Sequence, residues 1–151
     1  MRLLLDTNVV VDCLGNREPF YKAARLLMIV GKVGEFELWI SASQVSDLIY
    51  ILSNGGKKAL LPQVSRAIES LLDFVNVFAM GKGELQSALH AGWDDSEDAI
   101  IHAVALKLKA DAIITRNGKD FSKSSVPVMD CEELFAHLEE KGLVHEELAW
   151  V

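Results

Sequence analysis

The acidic residues of this chain fall where chemistry could use them. Asp6 closes the apolar run Leu3-Leu4-Leu5, and Asp94, Asp95, Glu97 and Asp98 form the densest acidic cluster, directly ahead of a long helical pattern. Carboxylates gathered at one edge of a sheet repel each other unless a hard cation such as Mg2+ or Mn2+ lies between them. Such a cation positions phosphate and lowers the pKa of an attacking water. Oxygen donors suit that role, and no His or Cys cluster at a ligand spacing argues for a softer metal. The same acids also have a structural account. An Asp after an apolar run serves as a turn or cap residue, and acids at a helix start are held by free backbone N–H groups and the helix dipole. Asp95 with Asp98 has the spacing of a capping box, with Asp where Glu or Gln is usual.

For acids this far apart to meet, the elements between them must fold into an alternating chain of strands and helices. Residues 3–5 read as a buried central strand ending at Asp-Thr-Asn. Asn16-Arg17-Glu18-Pro19 is a turn into a helix with Phe20, Ala23, Ala24, Leu27 and Val30 on one face, and Gly31 and Gly34 mark its end. A second strand follows over 36–40, then a helix starting at Ser41 or Ser43 with the stripe Val45, Leu48, Ile49 and Leu52. Asp47 lies off that stripe, which places it toward solvent. Helices over 60–74, 81–91 and 96–108, strands over 75–78, 111–115 and 127–129, and a last helix through Leu134, Phe135 and Leu138 complete the pattern. The expected fold is a three-layer α/β/α sandwich with a mainly parallel central sheet over residues 1–142, and 143–151 form a tail that packs on the domain or at a subunit interface. In such a sheet the site belongs at the carboxyl edge, which brings Asp6 toward Thr115-Arg116-Asn117.

With 22 acidic and 15 basic residues the formal charge is −7, unfavourable for holding nucleic acid by phosphate neutralisation alone. A nucleic-acid enzyme with this balance needs divalent metal or a local basic surface. Half the residues are apolar, enough for a core and too many for a disordered chain. Cys13 and Cys131 make no metal spacing, and no apolar stretch reaches transmembrane length, so the expectation is a reduced, cytoplasmic protein.

Four segments, in order, resemble the motifs of the PIN domain family, a nuclease fold. Leu4-Leu5-Asp6-Thr7-Asn8-Val9 resembles the first, in which the Asp binds metal and the Thr and Asn organise the loop. Ser41-Ala42-Ser43-Gln44-Val45-Ser46-Asp47-Leu48 is similar to the second, with Asp47 where Glu is more usual. The run from Asp95 to Ala105 resembles the third, with Asp98 as its metal-binding carboxylate. Ala110 to Phe121 resembles the fourth, with Asn117 replacing an acid after Thr-Arg and Asp120 keeping the acid before Phe, as in the branch of the family with a Thr-Arg-Asn motif.

The resemblance implies a metal-dependent endoribonuclease hydrolysing RNA phosphodiester bonds, with Asp6, Asp47, Asp98 and Asp120 as catalytic ligands of Mg2+ or Mn2+. Thr7, Asn8, Thr115, Arg116 and Asn117 would contact substrate or support those ligands. It also implies a VapC-type toxin of a toxin-antitoxin pair, a homodimer held inactive by an antitoxin protein, with Trp150 among the candidate contacts. Asp47 for Glu and Asn117 for Asp motivate an alternative, a catalytically weak or inactive PIN-like domain that binds nucleic acid or protein. Arg116 suits either a phosphate or a salt bridge to Asp111 or Asp120. His102, four residues after Asp98, is read as packing or orienting that acid rather than as a general base.

Overall fold

The computed structural model describes residues 1–145. Five strands, β1 (Arg2–Leu5), β2 (Glu37–Ser41), β3 (Val75–Phe78), β4 (Ala112–Ile114) and β5 (Val128–Met129), form one sheet in the order β3-β2-β1-β4-β5. Every strand pairing is parallel. The helices are α1 (Thr7–Leu14), α2 (Tyr21–Lys32), α3 (Val45–Leu52), α4 (Leu61–Leu72), α5 (Lys82–His90), α6 (Ser96–Leu108) and α7 (Cys131–Glu140). This is the expected α/β/α sandwich.

Strand alternation divides the core between the two faces of the sheet. Leu3, Leu5, Leu38, Ile40, Ala112 and Ile114 pack with residues of α1, α2, α3, α4 and α7, while Leu4 and Ile113 face the other way onto α6 and Phe121. Leu3, Leu4 and Leu5 are wholly buried, which makes β1 the axis of both cores. Each such side chain contributes roughly 1.5–3 kcal/mol by leaving water. Strand order reverses between β1 and β4, so their carboxyl ends, at Asp6 and Thr115, border the crevice where α/β proteins place ligands.

Two local features differ from the sequence expectation. The eight-residue α1 begins directly after β1, because Asp6 has extended backbone and accepts the Thr7 N–H at 2.8 Å as an N-cap. Helix α2 runs through Gly31 rather than ending there. A Cβ at that position would lie 2.3 Å from Leu38 Cδ1, so the glycine is a close-approach residue between α2 and β2. The chain leaves the helix at Gly34, whose φ is +88°.

The beginning of the tail packs on the domain. His145 Nε2 lies 2.7 Å from Glu35 Oε2 and its ring contacts Phe36 and Phe135. Trp150, read from the sequence as a contact residue, lies outside the described residues. Among the described residues no helix is long and apolar enough to cross a membrane.

Candidate active site

A cleft of about 630 Å³ opens at the carboxyl edge of the sheet, and six carboxylates line it: Asp6, Asp47, Asp95, Glu97, Asp98 and Asp120. They arrive on four elements. Asp6 caps α1 at the end of β1, Asp47 sits in the first turn of α3, and Asp95, Glu97 and Asp98 begin α6. Asp120 lies on a 3-10 turn after β4. Thr7, Asn8 and Asn117 also border the cleft. Seven of the nine residues singled out from sequence therefore meet in one place.

Asp6 is the most tightly held of the acids. Its Oδ1 accepts the Thr7 N–H, and its Oδ2 accepts the Thr115 hydroxyl at 2.8 Å and, at 3.4 Å, the Asn8 amide. Thr115 is buried; its oxygen in turn accepts from the Asn8 amide at 3.2 Å and the Asn117 N–H at 3.0 Å. Asn8 Oδ1 accepts the Arg116 N–H at 3.2 Å. This network ties the ends of β1 and β4 together and fixes the Asp6 carboxylate. Thr115 is thus a support behind the cleft.

Burial pushes the Asp6 carboxyl above its ordinary range, opposed by the Thr115 hydroxyl and Thr7 N–H and reinforced by Asp120 and Asp95. Asp98 is pushed up to about 7, first by partial burial and then by Asp95, Asp6, Asp120 and Glu97. The acids therefore sense one another across the cleft. Asp95 also has the structural role expected from its spacing: its Oδ1 accepts the Glu97 and Asp98 N–H groups as the N-cap of α6.

The donor chemistry, all carboxylate oxygen under mutual repulsion, fits a hard divalent cation. Among the described residues, however, no three His, Cys, Asp or Glu side chains stand close enough together to hold a metal ion as placed. The acids share a cleft without forming a closed ligand set.

Two residues that the sequence reading passed over organise the site. Gln44 is buried; its Oε1 accepts the Ser41 N–H at 2.7 Å, and its Nε2 donates to the Leu5 carbonyl at 2.8 Å and to Thr7 Oγ1 at 3.2 Å. These partners fix the orientation of the amide, so Thr7 accepts from Gln44 and its own hydroxyl proton is free to point elsewhere. The Ser41-x-x-Gln44 spacing of a capping box was the available signal. Asp12 is buried in α1 and pairs with Arg116, whose Nε and Nη2 donate to its two carboxylate oxygens at 2.5 and 3.1 Å. An acid inside the run Val9-Val10-Val11-Asp12 was the signal there.

Arg116 departs from both sequence expectations. Its partner is Asp12 rather than Asp111 or Asp120, and its guanidinium lies 4.0 Å from the centroid of the Phe20 ring. It borders a separate cavity of about 190 Å³ instead of the carboxylate cleft, because the buried Asp12 charge needs a cationic partner. His102 packs, as expected, but on Trp93 rather than Asp98, with ring centroids 5.0 Å apart and planes 29° from parallel. Its Nε2 accepts the Ser125 N–H at 3.2 Å, and burial lowers its pKa.

A parallel α/β sandwich with a carboxylate-lined cleft at its switch point defines the class of this protein. Within that class the chain belongs to the PIN domain family, whose model matches residues 2–119. It is 24% identical over 137 residues to the Ribonuclease VapC1 of Aquifex aeolicus, covering 87% of this chain and 92% of that protein. Its fold is similar to that of VapBC-1 from nontypeable Haemophilus influenzae, with a TM-score of 0.63, 23% identity and coverage of 87% of this chain and 99% of the other. PAE2754 from Pyrobaculum aerophilum shares the fold at a TM-score of 0.59 and 16% identity, covering 93% and 99% of the two chains.

Proposed function

We propose that this protein is a metal-dependent endoribonuclease of the VapC type that hydrolyses RNA phosphodiester bonds. The observation that carries the reading is the convergence of Asp6, Asp47, Asp98 and Asp120 from four separate elements on one cleft at the switch point of a PIN fold. Similarity to a protein named Ribonuclease VapC1 supports the choice of reaction and substrate.

Asp6 and Asp98, with Asp47 and Asp120, would hold Mg2+ or Mn2+, which when bound polarises the phosphodiester and makes water a stronger nucleophile. The chain's own contribution is positioning. Thr115, Asn8 and the Thr7 N–H hold Asp6 in one orientation, and the Thr7 hydroxyl, with its oxygen engaged by Gln44, offers its proton to a phosphate oxygen. Asn117 adds a neutral polar group to the rim.

The same reading includes an antitoxin as partner, supported by similarity to structures described as VapBC and toxin-antitoxin complexes, and a second copy of the chain. Exposed Val33, Tyr50 and Leu89 offer apolar surface for such contacts. A second reading, a catalytically weak binding domain, is favoured by the absence of a gathered three-acid set among the described residues. Turnover of labelled RNA, matched DNA and a small phosphomonoester, each with Mg2+ or Mn2+, separates these readings. The ribonuclease cuts the RNA selectively, and a protein that binds RNA without cutting it belongs to the second reading.

A further inference from the structure

We infer that the hollow beside the carboxylate cleft, walled by Trp93, Lys119 and Lys123, binds the nucleotide next to the one being cut, with its base on Trp93 and its phosphate on the two lysines. The inference rests on the ribonuclease reading and adds a substrate subsite to it. The hollow has a volume of about 200 Å³ and shares Asp95, Asp98 and Asp120 with the cleft, so a strand crossing the acids enters it directly.

Trp93 is braced to act as a stacking plate. The His102 ring lies against it at 5.0 Å and Phe121 meets it edge-on at 5.7 Å and 75°, yet the indole still borders the hollow. Packing onto the small core beneath β4 explains those two contacts. Beside that plate the hollow is lined by four aspartates, Asp94, Asp95, Asp98 and Asp120, and by two lysines, which are the cations a phosphate would meet next to a main cleft lined by one basic side chain, Arg17. Lys123 Nζ donates to the Gly92 carbonyl at 2.6 Å, tying its loop to that of Trp93 and leaving two N–H groups for a phosphate. Lys119 makes no side-chain ion pair among the described residues. An aromatic plate with adjacent cations is how single-stranded nucleic acid is held without base selectivity.

The test is binding of labelled single-stranded RNA octamers, followed by anisotropy over a range of salt concentrations in Ca2+ buffer, with strand integrity checked on gels. Trp93→Ala should weaken binding about 10-fold. Lys119→Gln/Lys123→Gln should flatten the slope of log affinity against log salt by about 1.4. RNA should quench indole fluorescence in the wild type, and Trp93→Phe, which keeps the packing on His102 and Phe121, should remove that quenching. Should Trp93→Ala fail to fold, the lysine pair and the quenching decide. Wild-type salt slope in the lysine variant and undiminished quenching in Trp93→Phe would overturn the subsite. Metal-dependent RNA cleavage by the same preparations reports separately on the ribonuclease reading, so loss of the subsite and loss of the enzyme give different results.

Discussion

Replacing Asp98 by Asn should stabilise the protein against unfolding in EDTA at alkaline pH while impairing its function. Asp98 is only partly buried, yet its carboxyl is raised from 3.8 to about 7 by burial and by Asp95, Asp6, Asp120 and Glu97. Below pH 4 the folded and unfolded chains both carry the proton, and the group has no effect on stability. Between pH 4 and 7 the unfolded Asp ionises while the folded one retains its proton, so stability falls as pH rises; above 7 the loss is complete. At 1.36 kcal/mol per unit the full shift would amount to about 4 kcal/mol. Solvent screening at a partly exposed group reduces this to about 1–2 kcal/mol. Asn removes that cost and forgoes the attraction of a carboxylate to the α6 N-terminus, roughly 0.3–1 kcal/mol. The expected net gain at pH 8.5 is about 1 kcal/mol, or about 3 °C in Tm for a chain of this size. At pH 4 the gain should vanish. Urea unfolding of both proteins at the two pH values measures it, and an Asp98→Asn effect that is independent of pH, or a wild type that gains on the variant as pH rises, would refute the electrostatic account of the cleft.

Gln44→Leu strands the buried Ser41 N–H and Leu5 carbonyl and should cost about 2–4 kcal/mol by urea unfolding. Arg116→Ala leaves Asp12 as a buried charge without its partner and should cost about 3–5 kcal/mol, much of it recovered in Asp12→Leu/Arg116→Met; a cycle of urea titrations over the four proteins measures the coupling. Because Asp98 is protonated over part of the neutral range, Mn2+ binding should release protons and tighten from pH 6 to 8, which calorimetry in buffers of different ionisation enthalpy detects.

Strong periodicity made the layers readable. The apolar run at 3–5 and the 13-residue α6 announce alternating strands and helices, and the strand ends place Asp6 and Thr115 together. Local pattern also placed Asp47 in solvent, and it is exposed; what pattern omits is that α3 turns this exposed face to the rim of the cleft. Asp12 and Gln44 were illegible for a different reason. Their roles depend on partners 104 and 39 residues away, Arg116 and Leu5, and no local periodicity encodes a long-range hydrogen bond. Helix α1 was hidden because β-branched Val9, Val10 and Val11 have strand propensity, which tertiary burial against α2 and α3 overrides. Gly31 read as a stop for want of knowledge that Leu38 would lie beneath it.

The most direct measurement of the central claim is cleavage of a diverse labelled RNA pool in Mg2+ and in Mn2+ by the wild type and by Asp6→Asn/Asp98→Asn, both shown to be folded. The carboxylate cleft predicts metal-dependent cutting by the wild type and a rate at least about 100-fold lower in the double variant. Equal metal-dependent rates in the two proteins would contradict it.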